Sequence, residues 1–259
     1  MHDKRVFLSI NIPPMSLDLV IIPTYNEIEN VEAIIRAVVD LDQGYHILIV
    51  DDNSPDGTAD KVRELQAEFK GNLHLEVRKE KSGLGMAYIH GFKWALQNNY
   101  DFIFEMDADF SHTPADLIRL KQACEEGADM SIGSRYTKGV NVVNWPLSRI
   151  LLSYGASFYV KIITGMPVND PTAGFVCYRS SALNAIELDA VQFVGYAFQI
   201  EMKYRIYKAK KKLKEVSIVF TDRVRGHSKM SKGIVWEAIL GVIKMRFNSI
   251  FNKNKFYHG

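Results

Sequence analysis

Phe102-Ile-Phe-Glu-Met-Asp-Ala-Asp-Phe-Ser-His112 is the stretch on which the reading of this chain turns. Phe102, Ile103, Phe104 and Met106 make an apolar run of the kind found in buried strands. The run ends in two carboxylates, Asp107 and Asp109, separated by Ala108. If the strand continues through both, its period of two puts them on one face. Two carboxylates at one spot are costly to bury unpaired. A hard divalent cation relieves that repulsion and recruits phosphate oxygens as its remaining ligands. Thr113-Pro114 then predicts a new helix, with Thr113 as cap and Pro114 in the first helical position. Taken alone, Asp-x-Asp before Ser is also the composition of a solvated turn, so its meaning depends on its surroundings.

Strands and helices alternate ahead of it. Leu17–Pro23 is apolar and β-branched, and Ile28–Leu41 follows at helical spacing through Val31, Ile34, Ile35 and Val38. Tyr45–Val50 reads as a second strand and Thr58–Phe69 as a second helix, with Thr58 as N-cap. Leu73–Val77 alternates as a third strand, and Leu84–Gln97 is a third helix. This order predicts an α/β fold with a mostly parallel, Rossmann-like sheet flanked by helices. Ligands of such sheets sit beyond the carboxyl ends of the strands.

Those ends carry polar chemistry. Pro23-Thr-Tyr-Asn-Glu27 follows the first strand, Val50-Asp-Asp-Asn-Ser-Pro-Asp-Gly-Thr58 the second, and Lys79-Glu-Lys-Ser-Gly-Leu-Gly85 the third. Tyr25 can pack on a nucleobase, and Glu27 and Asp52 can accept from base N–H or ribose hydroxyls. Gly83 and Gly85 allow close backbone approach before a helix N-terminus that favours an anion. Each motif alone is an ordinary turn; four at one sheet edge are more than that. A dinucleotide fold is excluded: no glycine follows the first strand, and Tyr88 stands where the third glycine is required. Neither a Walker-type loop nor a Gly-x-Ser-x-Gly elbow is present. His112, isolated beside Ser111, is read as a supporting or surface residue.

The 259 residues, 47% of them hydrophobic, suffice for one large domain. A net charge of +2 implies no nucleic-acid partner, and two cysteines far apart imply no disulfide framework. Residues 1–15 read as a loose tail, too short and broken for a signal peptide. No run of 18 uninterrupted apolar residues predicts a membrane span.

Together these motifs resemble glycosyltransferase family 2, with its GT-A fold. Gly133-Ser-Arg-Tyr136, Asn144-Trp-Pro-Leu-Ser-Arg149, Asp170-Pro-Thr-Ala-Gly-Phe175, Gly195-Tyr-Ala-Phe198 with Glu201, and Arg223-x-x-Gly-x-Ser-Lys229 narrow the likeness. They are similar to the dolichyl-phosphate (polyprenol-phosphate) mannose synthases. The resemblance spans roughly residues 17–230. It implies inverting transfer of mannose from GDP-mannose to a lipid phosphate. It implies Mg²⁺ or Mn²⁺ on Asp107, Asp109 and Ser111, and donor contacts from Pro23, Tyr25, Glu27, Val50, Asp52, Asp107, Ala108, Asp109, Arg223 and Lys229. Arg223 would act with Asp107 and Asp109 in catalysis. Arg135, Arg149 and Ser153 would hold the acceptor phosphate. Arginine suits such contacts, although each cation taken singly is ordinary surface charge.

A phosphate acceptor is already an anion near neutral pH, because its second pKa is about 6. A general base is then unnecessary; were the acceptor a hydroxyl, Asp170 or Glu201 could serve. Lys208–Lys212 reads as surface at a helix end. A lipid acceptor also needs membrane contact. Residues 147–164 and 234–251 both pattern as amphipathic helices with basic residues interspersed or flanking, among them Arg149, Lys161, Lys244, Arg246, Lys253 and Lys255. Core packing accounts for the first pattern as well as a membrane does. For the second, with Trp236, Ile239, Leu240, Ile243 and Phe247 on one face, interface contact is favoured. The expected organisation is a tail at 1–15, a catalytic domain at 16–230, and an amphipathic membrane-interface helix with a basic tail at 231–259. The expected enzyme is peripheral on the cytoplasmic face of the membrane, or borrows an anchor from a partner chain. Two competing readings are a relative using UDP-glucose or another nucleotide sugar with a lipid-phosphate or saccharide acceptor, and a non-catalytic nucleotide-sugar-binding subunit. The intact Asp107-x-Asp109 pair argues against the latter.

Overall fold

A computed structural model describes residues 16–222, 232–251 and 256, with side chains in the last helix from Leu240 onward. The expected tail at 1–15, and Arg223, Lys229, Lys253 and Lys255, lie outside these residues. The elements run β1 (Asp18–Thr24), α1 (Val31–Val39), β2 (His46–Asp51), α2 (Thr58–Glu68), β3 (Leu73–Val77), α3 (Leu84–Gln97) and β4 (Phe102–Glu105). Then come α4 (Asp116–Glu125), β5 (Met130–Ser134), β6 (Val142–Val143), α5 (Leu147–Thr164), β7 (Val176–Arg179) and α6 (Ser180–Leu183). The chain continues through α7 (Tyr196–Lys208), β8 (Leu213–Ser217), β9 (Phe220–Thr221) and α8 (Lys232–Phe251).

The main sheet has the order β3-β2-β1-β4-β7-β5-β8. All its pairings are parallel except those of β7, which lies antiparallel between β4 and β5. Alternate side chains of β1 enter opposite layers, as the strand period requires. Leu19 and Ile21 pack with α3, α7 and α8, while Val20 and Ile22 pack with α1, α2 and α4. Both faces are therefore dry, which is why these strands read as continuous apolar runs. Helix α1 contributes Val31, Ile34, Ile35 and Val38, the buried stripe that its spacing predicts.

Three local expectations change. Strand β4 stops at Glu105, so Asp107 and Asp109 lie in the following turn rather than on one face of a strand. Helix α4 starts at Asp116; Thr113 contributes its carbonyl, which accepts the Asp116 N–H at 3.0 Å, and no side chain caps the helix. Thr58 is the first residue of α2, not its cap. Gly57 stands at the cap with φ 89°, and Asp56 accepts the Thr58 N–H at 3.0 Å.

Helix α8 is more deeply integrated than an appended interface helix. Val242, Met245 and Ser249 are buried, and Ser249 shares a 2.8 Å hydrogen bond with the Tyr204 hydroxyl of α7. Arg246, expected to face headgroups, instead donates to Tyr204 at 3.1 Å. The opposite side exposes Leu240, Phe247 and Phe251. Helix α5 likewise leaves an apolar stripe in solvent, with Leu147, Leu151, Tyr154, Phe158 and Ile162 each more than half exposed. The two helices touch. Core packing thus uses only one side of each, and an apolar surface remains.

At the opposite edge of the sheet from the candidate site, the Tyr100 hydroxyl lies between His46 Nδ1 (2.8 Å) and His74 Nε2 (3.3 Å). Burial pushes both imidazoles below their ordinary value of 6.5, so the folded chain binds fewer protons than the unfolded chain as pH falls past that value. Their contribution is present above it and lost below. The denaturation midpoint should fall between about pH 7 and about pH 5, and His46→Gln/His74→Gln should flatten that fall.

Candidate functional site

The carboxyl ends of β1, β2 and β4 meet at one crevice, because β1 lies between the other two. Buried Asp51 ends β2 and ties the rim together. It accepts from Thr24 Oγ1 at 2.8 Å and from Ser54 Oγ at 2.6 Å, and the Ser54 hydroxyl oxygen in turn receives the Asn26 N–H. Pro23 pairs with Val50 in register, which puts their backbones side by side at this rim. Tyr25 projects outward with the Lys81 ammonium 3.8 Å from its ring centre. Glu27 accepts from Asn30 Nδ2 at 2.9 Å. Asp52 is buried against Arg78, Oδ1 to Nε 2.8 Å, and burial pushes its carboxyl up despite that guanidinium.

The glycines at the start of α3, Gly83 at its cap and Gly85 in its first turn, serve the fold. A Cβ on Gly85 would stand 2.7 Å from the Phe198 ring, and the Gly85 N–H already donates to the Val194 carbonyl at 2.9 Å. The close approach is made by the 193–198 segment, and the expected anion contact at this N–H is taken.

The acidic turn places Asp107 and Asp109 half-buried, with Ala108 buried between them. Asp107 Oδ1 accepts from the Tyr88 hydroxyl at 3.4 Å, and Asp109 Oδ1 accepts the Ser111 N–H at 3.0 Å. Phe110 takes φ 58°, a left-handed conformation uncommon for a bulky residue, of the kind that clusters at functional turns. Beneath the turn, Glu105 is wholly buried. It accepts from Tyr178 at 2.9 Å and Gln199 at 2.5 Å, and Lys203 Nζ reaches Gln199 Oε1 at 3.0 Å and the Ala173 carbonyl at 2.6 Å. Burial raises the Glu105 carboxyl and lowers the Lys203 ammonium, each partly opposed by the other's charge. His112 is buried too, stacked on Phe175 at 4.8 Å, and burial pushes its imidazole down to about 4.

The three expected acceptor residues occupy different settings. Arg135 is buried and forks onto Asp170, Nε to Oδ2 2.7 Å and Nη2 to Oδ1 2.6 Å, with Thr172 Oγ1 at 2.8 Å. Burial alone would raise the Asp170 carboxyl, but the Arg135 guanidinium holds it below its ordinary value. Arg149 lies near the start of α5, its guanidinium 4.0 Å from the Trp145 ring centre and its Nη1 2.7 Å from Asp222 Oδ2. Ser153 is one turn farther along the same helix face, half-buried. Arg135 also lies within 5.4 Å of the Trp145 centre, so one indole flanks both guanidinium groups.

Of the candidate bases, Asp170 is spent on Arg135. Glu201 is buried on Arg205 (Nη2 to Oε1 2.7 Å) and caps the Gln192 and Phe193 N–H groups. Sequence reasoning assigned no role to Glu105, Arg78 or Asp222, and quoted Trp145 only as part of the motif ending in Arg149. A charge inside the apolar run 102–106 was a usable signal for Glu105, and the motif ending in Arg149 was one for Trp145; Arg78 and Asp222 carried none. Among the described residues no three His, Cys, Asp or Glu side chains gather into a self-sufficient metal site. Asp107, Asp109 and the Ser111 hydroxyl fit a hard cation only as part of a set completed by a bound anion.

The model of "Glycosyl transferase family 2" matches residues 19–186. An undecaprenyl-phosphate mannosyltransferase of Micrococcus luteus is 46% identical over 87% of this chain and 92% of its own. A polyprenol monophosphomannose synthase of Mycolicibacterium smegmatis is 44% identical over 88% and 86%. A dolichol-phosphate mannosyltransferase of Pyrococcus furiosus is 36% identical over 87% of this chain, which spans 62% of that relative. Among solved structures, glucosyl-3-phosphoglycerate synthase of Mycobacterium tuberculosis superposes with a TM-score of 0.63 at 15% identity, covering 89% of this chain and 80% of that one. That likeness shows a common GT-A-like fold.

The two arginines should separate by stability. Asp170→Asn leaves Arg135 buried without its counter-charge and should cost about 3–5 kcal/mol in chemical denaturation. Arg149→Ala removes a half-exposed pair and should cost no more than about 1 kcal/mol.

Proposed function

Since the chain belongs to glycosyl transferase family 2, we propose that it moves mannose from GDP-mannose to the phosphate of a polyprenol, inverting the anomeric carbon. The observation that carries this reading is the position of Arg149. It rises from the first turn of α5, the helix whose opposite face carries the exposed apolar stripe of Leu147, Leu151 and Phe158. A cation suited to phosphate, on a helix that presents a lipid-compatible surface on its other face, suits a phosphorylated lipid as acceptor.

On the donor side, Tyr25 stacks the base once Lys81 swings off its ring, and Asp52, held by Arg78, accepts from base N–H groups. Pro23, Val50, Glu27 and Ala108 line the rest. Asp107, Asp109 and Ser111 would hold a divalent cation, Mg²⁺ or Mn²⁺, which supplies positive charge to the departing diphosphate. Arg223 and Lys229 are assigned to the same diphosphate.

On the acceptor side, Arg149 and Ser153 take the lipid phosphate, and Arg135 supports them through the Trp145 ring. The acceptor oxygen attacks the anomeric carbon from the face opposite the leaving diphosphate. It is anionic near neutral pH, so no base is needed. The burial of Asp170 and Glu201 in ion pairs supports this choice over a hydroxyl acceptor.

Among the described residues no helix is long and apolar enough to cross a membrane. We assign docking on the cytoplasmic leaflet to the α5–α8 face, with exposed Lys244 toward anionic headgroups. An anchoring partner chain would add to that contact.

Leu151→Asp/Phe158→Asp places charge on the stripe without touching the core. It should reduce binding to anionic vesicles at least ten-fold on the scale of about 25 cal/mol per Å² of apolar area. Transfer to a long polyprenyl phosphate in vesicles should fall in parallel, while a short acceptor in detergent is spared. Equal loss with both acceptors, with vesicle binding intact, would show that the stripe serves the fold or the site instead.

A further inference from the structure

We propose that Phe220 is a positioning residue for the transfer step: its ring joins the acidic turn of the donor side to the cations of the acceptor side and so fixes how the two substrates meet. The inference rests on the proposed function, in which Asp107, Asp109 and Ser111 serve the donor and Arg149 the acceptor.

Phe220 touches both sides at once. Its ring meets the His112 imidazole edge-on, with centres 5.3 Å apart at 78°. His112 directly follows Ser111 and is itself stacked on Phe175. A second edge-on contact is with the Trp145 indole, at 5.4 Å and 72°. That indole carries the Arg149 guanidinium at 4.0 Å. The Arg135 guanidinium lies 5.6 Å from the Phe220 centre as well. Edge-on packing is a preferred geometry of aromatic rings, and a ring attracts a guanidinium as no aliphatic side chain does.

The backbone repeats the link. The Thr221 N–H donates to the Ser111 carbonyl at 3.2 Å, while the Phe220 and Asp222 N–H groups donate to the Asn141 and Val143 carbonyls at 3.0 and 3.2 Å. Residues 220–222 therefore bridge the acidic turn to the segment that runs on into Trp145 and Arg149. Yet β9 has only two residues, and it pairs with the two-residue β6 in a sheet of its own. So short a ladder is marginal by itself. The part-buried Phe220 ring supplies the side-chain hold that the ladder lacks.

Separation matters here more than affinity does. Inverting transfer needs the acceptor oxygen, the anomeric carbon and the leaving oxygen in line, and a misplacement of about 1 Å costs about 10²-fold in rate. When the strut loosens, the residues assigned to donor and acceptor contact are all still present. Each substrate then binds its own side, and the loss falls on turnover.

The test is Phe220→Leu, which stays apolar but loses the flat ring, with Phe220→Met as a second loss variant and Phe220→Tyr as the conservative one. Rates are counted per GDP-binding site, titrated by calorimetry, so that an unfolded fraction does not register as lost turnover. With a short polyprenyl phosphate in detergent, kcat per site should fall about 10- to 100-fold in Phe220→Leu and Phe220→Met. The donor and acceptor KM values should each stay within about two-fold of the parent. Phe220→Tyr should restore most of the lost kcat. A kcat per site within about two-fold of the parent in the loss variants overturns the inference. So does a rise in one substrate's KM that accounts for the loss, since Phe220 is then a wall of that one site. A Phe220→Tyr enzyme as slow as Phe220→Leu, or loss of folding in both loss variants, overturns it too. If the parent enzyme itself shows no transfer to polyprenyl phosphate, the proposed function fails instead.

Discussion

A guanidinium buried against an enclosed carboxylate holds the proposed acceptor end of this molecule in shape. Arg135 follows β5 and Asp170 lies ahead of β7, so their forked pair ties together the segments that flank this antiparallel strand pair. Glu215 on β8 adds a third strand by accepting the Asp170 N–H at 2.9 Å. Removing one partner would strand a charge in the core. Arg135 is also the hub of a cage of Tyr136, Trp145 and Phe220, each ring centre 5.4–5.6 Å away. That cage positions the indole on which Arg149 rests. Arg135 therefore organises the site from below, and Arg149 faces what enters it.

The donor end is held by the same kind of device. Glu105 lies two residues before Asp107 and is clamped by Tyr178 and Gln199. Lys203 links this cluster to the acceptor side through the Ala173 carbonyl, in the same segment as Asp170. One buried polar network thus runs under both proposed substrate sites. Fully satisfied networks of this kind fix a unique arrangement of the groups above them. The inserted β7 is what brings the two halves together, since it pairs with β4 on one side and β5 on the other.

Much of this was legible in the chain. The alternating strands and helices, the acidic turn after Phe102–Met106 and the three other strand-end motifs all fall where the apolar periods put them. What stayed hidden depends on contacts between distant segments. Arg135 and Arg149 are the same residue type near the same motif, and only burial tells the enclosed pair from the part-exposed one. Gly85 reads as a ligand contact until the 193–198 segment is seen to fill its space. The antiparallel β7 follows a long excursion and has no local signature. Helix α8 shows its apolar face in sequence, yet the buried Val242 and Met245 that join it to the core look no different from the exposed Ile243 and Phe247.

The central claim is that this chain glycosylates a lipid phosphate. Radiolabelled transfer tests it most directly, with GDP-mannose and UDP-glucose each offered to polyprenyl phosphate and to the unphosphorylated polyprenol. The account predicts a labelled lipid from GDP-mannose with polyprenyl phosphate alone, lost on chelation of divalent cations. Transfer to the free alcohol at a comparable rate, or transfer from UDP-glucose in preference to GDP-mannose, would contradict it.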